Sequence, residues 1–336
     1  MSGLPLAAFL DTPPLGELSQ DALRAAGPQA AATLALWWPT LALCSAVLLA
    51  ILIALGYALA TSGRAVRSAP GDLSSLANRE PGLVRAVSVS VALSTVALLG
   101  LVAASAATDR KLASLDTAGA LQVHVIAHQW WWEFEYLDAD VTRRFVTANE
   151  LHLPVGRAVE LVLDADDVIH SLWIPNLAGK RDLIPGHTQT LRLRADRAGV
   201  YRGQCAEYCG YQHANMALRV VAEEPGAFTA WADRMRAPAA APATPLAQQG
   251  RAIFENGTCA MCHTVSGTPA AAKHAPDLTH LASRRRLAAE TLENTHDLLA
   301  RWISRPNALK PGVYMPDQAY SESDVQALTA YLETLK

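Results

Sequence analysis

The chain has 336 residues, room for two or three domains, with a net charge of -3 and 51% hydrophobic residues. That charge argues against a nucleic-acid partner, and a mean hydropathy of +0.13 is more apolar than an ordinary soluble chain. Of the five cysteines, Cys205 with Cys209 and Cys259 with Cys262 form two tight pairs beside histidines. Such pairs favour metals and cofactors over a disulfide framework.

Residues 1–33 read as an N-terminal tail. Asp11, Glu17 and Asp21 precede the first basic residue, Arg24, so the early positive charge of a signal peptide is missing. No charge occurs from Ala25 to Gly63, and residues 34–60 are long and apolar enough to cross a bilayer as a helix. Trp37 and Trp38 suit its interfacial aromatic belt. Residues 61–85 follow as a connecting loop with Arg64, Arg67, Arg79 and Arg85. A second uncharged run at 86–108 pairs with the first as a helical hairpin, although its serines leave open a buried helix of a soluble domain. A basic loop belongs on the cytoplasmic side, which puts both termini outside. Arg110 and Lys111 pull against this reading, and the motifs downstream decide it.

From Leu121 to Tyr136, LQVHVIAHQWWWEFEY begins with period-two alternation and runs into aromatics, a strand signature. Further strands are predicted at 158–163, 168–174, 188–194, 199–203 and 216–222. Pro154 with Gly156, and Pro185 with Gly186, punctuate them. Short strands at near-regular spacing across 115–225 predict a Greek-key β-sandwich or barrel. Residues 236–246, with Pro238, Pro242 and Pro245, have the composition of a semi-rigid linker; nine such residues in extended form span roughly 28 Å. A third domain is expected over 247–336.

Gly203 to Met216 reads GQCAEYCGYQHANM. It offers the thiolates of Cys205 and Cys209, the imidazole of His213 and the thioether of Met216, with His170 as a second imidazole upstream. Thiolate and thioether donors select copper, and one thiolate with two histidines and a weak Met makes a mononuclear site. Two thiolates point to two coppers bridged by two sulfurs, each with one His, and with Met216 and the Glu207 carbonyl as weak axial donors. A zinc knuckle of Cys205, Cys209, His213 and His170 is compatible with the spacing, as is a disulfide outside the cell.

Cys259-Ala260-Met261-Cys262-His263 is the C-x-x-C-H signature of covalent haem attachment, with His263 as the proximal ligand. Met1 is terminal, Met216 is taken, Met261 lies inside the motif and Met235 precedes the linker, which leaves Met315 as the sixth ligand. Helices are predicted at 248–255, and at 321–335 with Ser321 and Asp324 as a capping box.

The copper stretch matches C-x-E-x-C-G-x-x-H-x-x-M at every fixed position. It resembles the binuclear copper (CuA) loop of cytochrome c oxidase subunit II, and DVIHSLWIP at 167–175 is similar to that family's segment bearing the first His ligand. The last 90 residues resemble a small class I cytochrome c, with Pro276 at the place of its haem-packing proline. The resemblance implies a multi-domain membrane protein with a two-helix transmembrane hairpin, a Greek-key cupredoxin-like CuA domain and a small all-α cytochrome c domain.

By the same resemblance the chain is the electron-accepting subunit of an oxygen-reducing, proton-translocating oxidase, passing electrons from covalent haem c to CuA. The oxygen site lies in a partner, the catalytic haem-copper subunit I, beside other oxidase subunits. A cytochrome or quinol-oxidising complex is the implied donor. The location is the cell (inner) membrane, multi-pass in lipid, with both redox domains on the outer, periplasmic side. Trp130 matches the residue that receives electrons from soluble cytochrome c, and Glu207 one that helps hold magnesium at the subunit boundary. Glu80 lacks the Trp-Thr pair that accompanies the family's proton-uptake glutamate, so that role is not carried over. A copper-containing nitric oxide reductase subunit shares the module. A stand-alone membrane electron carrier or a copper-delivery protein remains the third class.

Overall fold

The structure is a computed structural model that describes residues 18–62 and 80–336. Asp11, Glu17, Arg64, Arg67 and Arg79, used above to read the tail and the connecting loop, lie outside the described residues. The described residues divide into two units: 31–62 with 80–114, and a second body of 18–30 with 115–336.

The first unit is two long helices, α1 (Pro28–Ser62, 35 residues) and α2 (Pro81–Ala113, 33 residues). Both are long and apolar enough to cross a membrane, with mean hydropathies of 2.5 and 2.2 over their most apolar stretches. At about 1.5 Å per residue each exceeds the roughly 30 Å hydrocarbon core. The helices therefore run past the uncharged spans that the composition marks, and Arg110 and Lys111 form the last turn of α2. There they complement the negative end of its dipole.

In the second body, β1 (Leu18–Ser19) opens an arm that does not behave as a free tail. It pairs in parallel with β10 (Gly199–Cys205), Leu18 opposite Val200. Ala26 is buried in the same core as the sheets, and its N–H donates to Asn176 O at 2.6 Å. Gly27 has no room for a side chain: a Cβ there would sit 2.2 Å from Arg194 O.

Two sheets build the larger domain. One runs β4 (Phe145–Ala148), β3 (Trp131–Leu137), β2 (Leu121–His128), β6 (Ala158–Ala165), β9 (Gln189–Arg194). The other runs β5 (Glu150–Pro154), β11 (Ala217–Glu223), β10, β7 (His170–Trp173), β8 (Arg181–Leu183). β2 alternates buried and half-buried positions along its whole length, so Val123, Val125 and Ala127 fill the core, as period two requires. The aromatic run that follows is not a continuation of β2. The chain reverses at Gln129-Trp130 and returns as β3, His128 opposite Trp131, which buries Trp132, Phe134 and Tyr136.

α3 (Pro225–Met235) is not legible as part of a β domain or a linker. It packs Phe228 and Trp231 into the core, and His152 stacks on Trp231 with ring centroids 4.0 Å apart. The Pro/Ala segment beyond it is also fastened down. Arg236 donates to Arg143 O at 2.8 Å and Ala239 N–H to Ser266 O at 2.9 Å, and Pro242 is buried. These contacts remove the adjustable reach that its composition predicts.

The last domain is helical. α4 (Pro245–Asn256) starts on Thr244, whose hydroxyl accepts the Ala247 N–H, with Pro245 in the first turn where its missing donor costs nothing. α5 (His296–Ser304), α6 (Pro306–Leu309) and α7 (Glu322–Leu332) complete it. Ser321 accepts the Asp324 N–H at 3.1 Å, the first half of the predicted cap. α4 crosses α7 at Gly250, and Phe254 meets Tyr331 edge to face. Leu299, Ile303, Leu328 and Leu332 close the same core.

Candidate metal and haem sites

β10 ends on Cys205 and β7 begins on His170, and the two strands pair with Cys205 opposite Leu172. The sheet register therefore delivers a thiol and an imidazole to one pole from positions 35 apart. The Cys205 and Cys209 sulfurs are 3.8 Å apart, and Cys205 Sγ lies 3.9 Å from His170 Nδ1. Cys209 Sγ is 3.6 Å from His213 Nδ1 and 3.9 Å from Met216 Sδ. Cys205 Sγ is 3.2 Å from Glu207 O. All six predicted donors thus converge on one sulfur pair, one imidazole beside each sulfur.

The surroundings prepare that donor set. Asp167 Oδ1 holds His170 Nε2 at 2.8 Å, so Nδ1 faces the sulfur, as an imidazole oriented by a carboxylate does at metal sites. Cys205 is driven to ionise: the hydrogen bond from the Cys209 thiol lowers its pKa most, and His170 adds to this against the cost of burial. Cys209 is pushed up by its bond to Cys205 and by burial. One proton shared by two buried sulfurs is what a metal displaces, since the thiolate is the ligand. The sulfurs, imidazoles and thioether fit a copper pair. Zinc leaves Met216 without a use, and the sulfurs are well beyond disulfide bonding distance.

Asp167 and Gln129 were not legible as site residues. Gln129 Nε2 and Trp130 Nε1 both donate to Cys209 O, at 2.7 and 3.0 Å. Gln129 has only its place just before the aromatic run as a sequence signal, and Asp167 its place three residues before His170. Gly210 sits under Gln129 and Trp130 at φ +109, where a Cβ would be 3.0 Å from Gln129 Nε2. Trp130 itself is only 7% exposed, and its ring stacks on Tyr314 with centroids 5.7 Å apart. Glu207 is exposed.

Cys259–Met261 forms a 3-10 turn that places His263 below it. His263 Nδ1 donates to Pro276 O at 2.8 Å, which leaves Nε2 free for a ligand, and burial lowers its pKa. A neutral imidazole with one nitrogen occupied is suited to bind iron. Cys259 is half-buried and Cys262 exposed, so both thiols are reachable for covalent attachment. Met315 lies in the loop before α7, half-buried, with its carbonyl accepting from Asn307 Nδ2 at 3.0 Å.

Residues 137–223 match the family described as cytochrome c oxidase subunit II, periplasmic domain, and residues 247–336 match cytochrome c. The chain thus carries, in order, a segment similar to a subunit II periplasmic domain and a segment similar to cytochrome c. Subunit 2 of cytochrome c oxidase from Alkalihalophilus pseudofirmus is 42% identical over 64% of this chain and 61% of its own length. The subunit 2 from Bacillus sp. (strain PS3) is 37% identical over 64% of this chain and 62% of its own. The chain therefore spans about three fifths of the length of these relatives. The crystal structure of the periplasmic domain of cytochrome oxidase subunit II from Bradyrhizobium japonicum covers 36% of this chain and 97% of its own, at 26% identity and a TM-score of 0.33. In the segment similar to subunit II the candidate copper donors gather at one pole of the two sheets; in the segment similar to cytochrome c the C-x-x-C-H turn carries the candidate haem donors.

Proposed function

We propose that this chain is the electron-accepting subunit of a membrane-bound cytochrome c oxidase. Cys259 and Cys262 attach haem c, His263 and Met315 ligate its iron, and His170, Cys205, Glu207 (through its carbonyl), Cys209, His213 and Met216 hold a binuclear copper centre. Such groups supply one-electron redox chemistry and no open position for a substrate. The reduction of oxygen and the translocation of protons then belong to a catalytic partner subunit that completes the relay.

The observation that supports this most directly is the sulfur pair 3.8 Å apart with an imidazole beside each sulfur. The chain's own residues set the conditions. Asp167 fixes the tautomer of His170, the Pro276 carbonyl fixes that of His263, and burial of Cys205, Cys209 and Met216 keeps water away. Glu207 is exposed, which supports a role for its carboxylate in sharing a magnesium ion with the partner. α1 and α2 are each long and apolar enough to cross a bilayer. They make two crossings of the cell membrane, with both redox domains on the outer side.

Cys205→Ser in the purified complex tests the assignment. The expected result is loss of near-infrared copper absorption and of the seven-line hyperfine pattern of a mixed-valence pair, with the haem c band retained. Unchanged copper content, or one zinc per chain in the parent protein, would overturn it.

A further inference from the structure

The cytochrome domain touches the subunit II domain along two segments, 288–290 and 310–314. Ala288, Ala289 and Glu290 all have positive φ, at 53, 56 and 66 degrees. Three successive side-chain-bearing residues in the left-handed region persist only where the surroundings fix them. The turn's own hairpin holds it from one side, with Arg286 Nε donating to Glu290 O at 3.0 Å and the Thr291 hydroxyl to Ala288 O at 2.7 Å, and the other domain from the other: the Ala217 N–H donates to Ala289 O, and Arg219 pairs with Glu290 at 3.1 Å.

Lys310 anchors the second segment. It is 2% exposed, and its Nζ donates to Trp130 O at 3.1 Å, Asn215 O at 2.8 Å and Ala288 O at 2.9 Å. An ammonium has three protons and accepts nothing, so these carbonyls use it fully. Two belong to the subunit II domain and one to the left-handed turn.

Gln212 Nε2 donates to Pro311 O at 2.6 Å, and Gly312, at φ +83, comes so near the Tyr211 ring that a Cβ there would stand 3.0 Å from Tyr211 Cδ1. Tyr314 stacks on Trp130 and donates from its hydroxyl to Gln129 Oε1 at 2.7 Å. Segment 310–314 thus runs along the 205–216 loop and covers Trp130, the residue that the resemblance marks as the entry point for electrons from a soluble carrier.

We propose that Lys310 and Tyr314 form a latch that seats the cytochrome domain on the copper loop and closes the Trp130 face to outside carriers. Donor selection then lies with the cytochrome domain, and a soluble carrier reaches the copper centre only by way of it. The consequence for donors rests on the function proposed above. The closed face does not, and is measured without turnover.

The test uses the full chain in its complex, as parent, Lys310→Met and Tyr314→Leu. Hydroxyl-radical labelling of Trp130 and amide exchange at 128–133 and 286–290 read the latch. The haem c band reports that the cytochrome domain is folded. Protection in the parent and a rise of about tenfold or more in either variant, with the haem band intact, supports the latch. A parent Trp130 labelled as fast as free tryptophan overturns it, as does unchanged labelling in both variants. Should Lys310→Met lose the haem band, Tyr314→Leu, at an exposed side chain, decides alone.

Reduced soluble cytochrome c, mixed rapidly with each protein, reads donor selection. In the parent the haem c band should be reduced before the copper band, and in the variants the copper band should no longer lag. Direct reduction of copper in the parent overturns donor selection even where the labelling holds. A copper band that never responds in any protein counts against the electron-accepting function and leaves the labelling result standing.

Discussion

Arg219 and Glu290 meet across the two domains with side chains only 8% and 2% exposed. A buried pair contributes little net, because desolvation cancels most of the attraction, but removing one partner strands a charge. Burial already raises the pKa of Glu290, with Arg219 opposing. Arg219→Met is expected to destabilise the joined domains by about 3–5 kcal/mol, less whatever protonation of Glu290 relieves. Arg219→Met with Glu290→Leu should recover most of that loss, both read as urea midpoints.

Two other histidines, His124 and His152, each sit between two carboxylates. His124 lies 3.1 Å from Glu135 and 2.8 Å from Asp164. The hydrogen bond to Glu135 raises its pKa most, and Asp164 adds to it against burial. Burial works against charge on His152, but Glu150 and Glu223 outweigh it and raise its pKa as well. Both groups bind their proton more tightly folded than unfolded. Their contribution is therefore complete below the ordinary value of 6.5 and is lost as pH rises through the higher folded values. Unfolding midpoints of the subunit II domain should fall as pH rises above the ordinary value of 6.5, and His124→Gln with His152→Gln should flatten the slope. Glu135, held down by the same His124, acts oppositely: its contribution is lost in acid below its ordinary 4.5.

Among the elements, the crossing of α4 and α7 is the tightest joint. A Cβ on Gly250 would stand 1.9 Å from Ala327 O and 2.8 Å from Tyr331 Cβ. Backbone cannot yield as a flexible side chain does, so Gly250→Ala should cost about 1–3 kcal/mol or more through overpacking. It should lower the denaturation midpoint of the cytochrome domain while the copper signal stays intact. The same scale explains two misread strands. Gln122 to Leu137 holds enough alternation for either one long strand or a hairpin, and no Gly marks the reversal at Gln129-Trp130. β4, β5 and β8 are only 4, 5 and 3 residues long, too short for period two to stand out from chance.

At the scale of the whole molecule, the cytochrome domain is part of the body that carries the copper donors. A Pro/Ala segment reads as a spacer because nothing in its composition holds it. What holds it is the far side of the contact: Ser266 and His280 from the cytochrome domain and Arg143 from the 3-10 turn between β3 and β4. The Trp130 expectation changes for the same reason. Its neighbour Tyr314 is 184 positions away, and no local signal joins them.

The sequence by itself determined the chemistry: thiols, imidazoles and thioether at fixed intervals within one loop, a C-x-x-C-H turn, and two runs too apolar for water. These are local patterns, and short spacings constrain which atoms can reach one another. Only the tertiary structure decided that His170 arrives beside Cys205, that Asp167 orients it, that residues 18–30 lie on the sheets, and that Lys310 ties two domains through three carbonyls. Those contacts join positions tens to hundreds of residues apart, where sheet register and side-chain packing set the meeting and periodicity carries no information.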